Sequence, residues 1–194
     1  MRFEETPIPG AHVVELEPNA DHRGYFARTW CREEFARHGI AVEMVQASVS
    51  HNRLAGTLRG MHFTWLPSTE AKLVRCERGR VRDVILDLRP ASPGFLRHFG
   101  VDLDEDRGNA LYIPAGVAHG FQTLCDDCTV FYMMTEAYRP GLGDGVRYDD
   151  PAFGIQWPRP VAAIHERDRS YPDFDPEGHR SRYRQQQHPQ PVST

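Results

Sequence analysis

No apolar run in this 194-residue chain is long enough to span a membrane or serve as a signal peptide, since Met1-Arg2-Phe3-Glu4 leads straight into charged and proline-containing sequence. The expectation is a soluble, cytoplasmic protein. An excess of positive charge is also missing. Lys and Arg number 23 against 27 Asp and Glu, the formal net charge is -4, and the signs are interspersed. A basic face of the kind that binds nucleic acid or an anionic membrane is therefore not expected. Cysteine is scarce: Cys31 and Cys76 stand alone, and Cys125 and Cys128 form a CxxC. No second pair of Cys or His at similar spacing completes a zinc site, so these read as reduced, incidental thiols. Internal repeats are absent, and the length suits one domain with its own core.

Strand signals dominate what is present. Short β-branched or aromatic runs at Ala11 to Glu15, Val42 to Ser50, Ala71 to Arg75, Arg80 to Asp87, Arg97 to Leu103, Ala110 to Ile113, His119 to Leu124 and Thr129 to Thr135 alternate with Gly, Pro and Asp turns. This spacing predicts an all-β sandwich or barrel. Helix is confined to Arg32 to His38 and a turn around Glu166 to Asp168, which makes helices peripheral to a β core. Residues 177–194 are polar, with three consecutive glutamines and Tyr183 as the only aromatic, and predict a disordered tail behind a domain of residues 1–176.

Chemistry concentrates between Gly56 and Lys72, GTLRGMHFTWLPSTEAK. A strand, a short loop and the start of a second strand carry Arg59, His62 and Lys72. Arg59, like Arg23 in Asp21-His22-Arg23-Gly24, precedes a glycine, which would let backbone approach a ligand while the guanidinium grips a phosphate. His62 is a candidate proton acceptor. Lys72, between Ala71 and Leu73, needs an anionic partner, and Glu70 could supply one.

The stretch from Asn109 to Phe121, NALYIPAGVAHGF, is the other informative one. A strand, a Pro-x-Gly turn and a histidine opening the next strand resemble the second motif of the cupin barrels. Metal cupins also need a His-x-His and a carboxylate earlier in the chain. Met61-His62-Phe63-Thr64 offers one histidine there, so a cupin-type jelly roll without metal follows.

Together RGMH, AKLVRC, DVILDLRPASPG, LYIPAGVAHGFQTL, Tyr132 to Tyr138, RYDDPAFGIQWP and the late ERD resemble the dTDP-4-dehydrorhamnose 3,5-epimerases and related epimerases of nucleotide-linked 4-keto-6-deoxy sugars. The likeness runs from about Ile8 to Asp175. It implies a cofactor-free cupin jelly roll, a homodimer whose N-terminal strand joins the partner's sheet, and a nucleotide-diphosphate sugar as substrate. Carried over by motif, His62 would be the general base, Asp168 its carboxylate partner, Lys72 the group beside the C4 oxygen and Tyr132 the general acid. Arg23 and Arg59 would hold the diphosphate, His119 and Tyr138 would line the sugar pocket, and Gln46 and Ser48 would contact substrate.

Some positions depart from the family pattern. Asn19 stands where an aromatic is usual, Arg28 where a glutamate is, Ser48 in place of the asparagine of QxN, and Thr64 in place of the glutamine of HxQ. The reading is an epimerase inverting C3 and C5 of a nucleotide-diphospho-4-keto-6-deoxyhexose in deoxysugar biosynthesis. The alternatives are a single-centre epimerase on a sugar linked to another nucleotide, and a non-catalytic sugar-nucleotide-binding cupin.

Overall fold

The computed structural model describes residues 1–187. In chain order its elements are β1 (Arg2–Glu5), β2 (His12–Glu15), β3 (Asn19–Asp21), β4 (Gly24–Phe26), α1 (Arg32–Arg37), β5 (Gln46–Asn52), β6 (Thr57–Thr64), β7 (Lys72–Arg78), β8 (Arg80–Asp87), β9 (His98–Asp104), β10 (Ala110–Ile113), β11 (Val117–Thr123), β12 (Cys128–Met134), β13 (Gly143–Gly145), β14 (Ala163–Ile164), α2 (Glu166–Arg169) and α3 (Pro176–Gln187). One sheet runs β1-β2-β10-β7-β12-β5 and a second β13-β6-β11-β8-β9, with β14 beside β6; β3 and β4 make a separate hairpin. The fold is the expected all-β jelly roll with short peripheral helices. No described helix is long and apolar enough to cross a membrane.

Strand periodicity explains how one strand serves two layers. In β8, Val81 and Ile85 belong to the cluster between the sheets, while Val84 and Leu86 belong to a second cluster on the sheet's outer face. Successive side chains alternate faces, so Asp83 points inward with Val81 and Ile85. On β6 the same rule sends Met61 and Phe63 to the outer cluster and leaves His62 for the interior. A third cluster, built on Phe35 of α1 with Leu73, Ala110 and Tyr112, covers the outside of the first sheet.

One expectation needs correction. Residues 177–187 are not disordered: they form most of α3, which docks on the outer cluster. His179 is buried and its Nε2 lies 2.7 Å from the Leu88 carbonyl, while the Arg180 and Arg182 guanidiniums each sit 4.2 Å over the rings of Phe95 and Trp65. A count of apolar residues misses this anchorage, because a histidine, Tyr183 and two stacked arginines supply it. Residues 188–194, the rest of the expected tail, lie outside the described residues. The N-terminal strand is placed on the first sheet of its own chain. β1 pairs with its own chain's β2, Arg2 opposite Glu15 through Glu5 opposite His12, and the Met1 ammonium is held by Glu17 and Glu34.

Candidate active site

His62 is brought to Asp168 by the smallest elements of the fold. Parallel pairing of β14 with β6, Ala163 opposite Thr57 and Ile164 opposite Leu58, lays the following α2 against the strand. The α2 start is fixed by His165, whose Nδ1 accepts from the Arg167 N–H at 3.1 Å. Asp168, buried, then reaches His62 Nε2 at 2.7 Å through Oδ1, and its Oδ2 accepts from the Gly60 N–H at 3.2 Å. With Nε2 donating to the carboxylate, the other ring nitrogen is left as the base. Burial on its own would raise the Asp168 carboxyl, but the hydrogen bond and charge of His62, the Gly60 N–H and the Arg167 guanidinium outweigh it. The net effect holds Asp168 below the usual carboxylate range.

Gly60 has a role different from the one expected of it. Its φ is +121°, and a Cβ there would lie 2.5 Å from Gly120 Cα. The glycine therefore permits β6 and β11 to close on each other beside the His62 pair, where the ladder shifts register between His119 and Phe121. The close approach at this glycine is to the His119 and Gly120 backbone.

A cavity of about 660 Å³ opens between the sheets, lined by Arg59, His62, Lys72, His119, Tyr132 and Asp168 among the expected residues. Its walls come from opposite sheets: His62, Arg59 and His119 stand on β6 and β11, Lys72 and Tyr132 on β7 and β12. Lys72 Nζ is 2.8 Å from Glu70, so the anionic partner anticipated for it is present. Arg59 Nε donates to Asn52 Oδ1 at 2.7 Å. Desolvation pushes the Tyr132 phenol well up and the Asp83 carboxylate adds to the rise, so Tyr132 is a protonated donor at neutral pH. His119 Nε2 lies 2.9 Å from Asp83, a fully buried carboxyl whose desolvation raises its pKa against the partial offset of His119.

A smaller cavity of about 240 Å³ shares His62, Lys72 and Arg167 and adds Glu70, Glu136 and Tyr138. Three expected residues line neither cavity. Arg23 sits on the exposed β3–β4 hairpin, paired with Asp21 at 2.5 Å. Gln46 accepts the Tyr138 N–H at 3.0 Å and so sets the rim, and Ser48 lies on exposed β5 opposite Tyr132. Ser50, Phe121 and Arg167 line the main cavity without having been anticipated. Period-2 spacing from Ser48 gives Ser50, and from His119 gives Phe121; Arg167 adjoins Asp168 and places Nη2 3.2 Å from His62 Nε2. Among the described residues no group of three or more His, Cys, Asp or Glu is arranged to hold a metal ion.

A sequence model described as dTDP-4-dehydrorhamnose 3,5-epimerase matches residues 5–176. The chain belongs to this family. The dTDP-4-dehydrorhamnose 3,5-epimerase of Methanothermobacter thermautotrophicus is 39% identical over 174 residues, 88% of this chain and 93% of that one. A dTDP-4-dehydro-6-deoxyglucose 3-epimerase from a Streptomyces species is 38% identical over 170 residues, 85% of each chain. Among solved structures, dTDP-4-dehydrorhamnose 3,5-epimerase from Bacillus anthracis with TDP and PPi bound superposes with a TM-score of 0.86 at 34% identity, covering 89% of this chain and 99% of that one. This member of the dTDP-4-dehydrorhamnose 3,5-epimerase family is thus an isomerase-class cupin whose cavity lies between its two sheets.

Proposed function

We propose that this protein inverts C3 and C5 of a dTDP-linked 4-keto-6-deoxyhexose, by proton removal and return through an enolate. The observation that carries the reading is the placement of a His–carboxylate base and a protonated tyrosine on opposite walls of one cavity, with a lysine beside the tyrosine. His62 takes the proton next to the ketone and the electron pair moves onto the C4 oxygen. The Lys72 ammonium stabilises that oxygen as charge develops. Tyr132 returns a proton from the opposite face, which inverts the centre, and solvent resets both groups. The base contributes about 10²–10⁴-fold, and Asp168 fixes its tautomer.

Arg59 would hold the diphosphate. Arg23, which lines neither cavity of its own chain, would reach the diphosphate of a second copy in a homodimer. Apolar surface supports the assembly: Tyr25 and Phe26 on the β3–β4 hairpin are 57% and 79% exposed, and Val49 on the edge strand β5 is 69% exposed. The setting would be the cytoplasm.

A second reading, inversion at C3 only, is favoured by the Streptomyces relative named as a 3-epimerase at nearly the same identity. Proton NMR in D₂O with the 4-keto substrate separates the two. Exchange at both carbons, C3 faster, is expected. Retention of the C5 proton through many turnovers makes the protein a 3-epimerase, and no exchange at either carbon makes it a binder.

A further inference from the structure

The turn joining β11 to β12 contains the CxxC, whose two cysteines line neither cavity. Its sulfurs are 3.3 Å apart. The turn is held in this shape from three sides: the Ala55 N–H donates to Asp126 at 2.7 Å, the Leu124 N–H to the Arg80 carbonyl at 2.8 Å, and the Asp127 N–H to the Arg53 carbonyl at 3.1 Å. Space for both sulfurs comes from Gly79, in the turn between β7 and β8. A Cβ at Gly79 would lie 2.8 Å from each Sγ. Bond formation therefore requires sulfur movement and no rebuilding of the turn.

The two thiols differ in access. Cys125 is half-exposed, beside the exposed Asp126 and Asp127, whereas Cys128 is buried and its Sγ donates to the Arg80 carbonyl at 3.3 Å. Desolvation pushes Cys128 up, and it pushes Cys76, buried nearby with its Sγ 3.1 Å from the Arg78 carbonyl, up to about 12. Cys76 is a spectator, since a thiol and not its thiolate is a poor nucleophile.

We propose that Cys125 and Cys128 form an oxidisable dithiol site that takes a small, uncharged disulfide by thiol–disulfide exchange. The Cys125 thiolate attacks one sulfur of the reagent, whose S–S bond breaks and releases one thiolate, leaving a mixed disulfide on Cys125. Cys128 then loses its proton to solvent and attacks the Cys125 sulfur, forming the Cys125–Cys128 bond and releasing the second thiolate. Two protein thiols are oxidised and one disulfide is reduced to two thiols. The two aspartates explain the preference for an uncharged reagent, because an anionic disulfide would approach against like charge.

The test treats the full-length protein, without oxygen, with hydroxyethyl disulfide in an excess that fully converts free cysteine, followed by acid quench and peptide mass mapping. The wild type is expected to carry an intrachain Cys125–Cys128 link with Cys76 unmodified. Cys128→Ser should accumulate the hydroxyethylthio adduct on Cys125, and Cys125→Ser should modify Cys128 roughly tenfold or more slowly than that. Cys125 and Cys128 both remaining thiols in the wild type would overturn the proposal. So would separate adducts on the two residues without a link, or equal adduct rates in the two variants.

Discussion

His62 and His119 face each other across β6 and β11, and each holds a carboxylate on Nε2, at 2.7 Å for Asp168 and 2.9 Å for Asp83. The same pair of groups has been given opposite electrostatics. Asp168 accepts two further stabilising influences, the Gly60 N–H and the Arg167 charge, and lies below the usual carboxylate range. Asp83 has one partner, its Oδ1 bonds to nothing among the described residues, and burial raises it. The anionic Asp168 holds His62 through Nε2, which leaves the other ring nitrogen free to take a proton from a substrate. The His119 pair is built to hold position: its imidazole packs edge-on to the Tyr132 ring, centroids 6.0 Å apart. Environment, and not residue type, separates a base from a wall.

The sharpest way to break this comparison is to remove the base. His62→Ala should lower kcat by about 10³-fold or more while TDP binding, followed by thermal shift, persists. Turnover within a few-fold of wild type would transfer the base role to His119 and reverse the comparison.

The carboxylates sharpen it next. A carboxyl depressed in the folded state adds stability above its unfolded value near pH 4, and that stability is lost as pH falls through the folded value. Asp168→Asn should therefore cost about 2 kcal/mol at neutral pH, the usual size for a hydrogen bond to a charged group, and the deficit should shrink in acid. Asp83 has the opposite sign. Its raised folded value means that ionisation opposes folding at neutral pH, an opposition that disappears as pH falls. Asp83→Asn should consequently cost less than Asp168→Asn at pH 7 and relatively more at pH 4. Melting curves at the two pH values check this, and parallel losses at both would remove the electrostatic distinction.

Much of this arrangement was legible in the sequence. Period-2 alternation and turn residues located β2 and β5 to β12, though not β1, β13 or β14, and motif resemblance named every cavity residue of the proposed chemistry. What stayed hidden depended on distant contacts. β3 and β4 are three residues each and fully exposed, so no burial pattern marks them. The purpose of Gly60 was invisible because the backbone it meets, Gly120, is sixty residues away in sequence. α3 was misread because its low apolar content ignores what a buried histidine and stacked arginines can anchor. His179→Ala, which removes the bond to the Leu88 carbonyl and a ring against Trp65, should cost about 2 kcal/mol and change kcat by no more than a few-fold. Unchanged stability would mean that α3 is held without it.

The smallest expected effect is that of chelation, and it follows from the same two pairs. A metal in this barrel would need both histidines and a third donor converging on one point. Each Nε2 is instead committed to its own carboxylate, Asp83 is buried between Val81 and Ile85 in the strand, and the position after His62 that could complete a His-x-His is Thr64. To bind a metal through these nitrogens, both His–carboxylate contacts would have to break, which would also release the tautomer that makes His62 a base. Exhaustive treatment with a chelator, followed by assay in metal-free buffer, is therefore expected to leave activity unchanged. Loss of activity restored by a divalent cation would show that the two pairs act together on a shared ion, and the division between base and wall would be wrong.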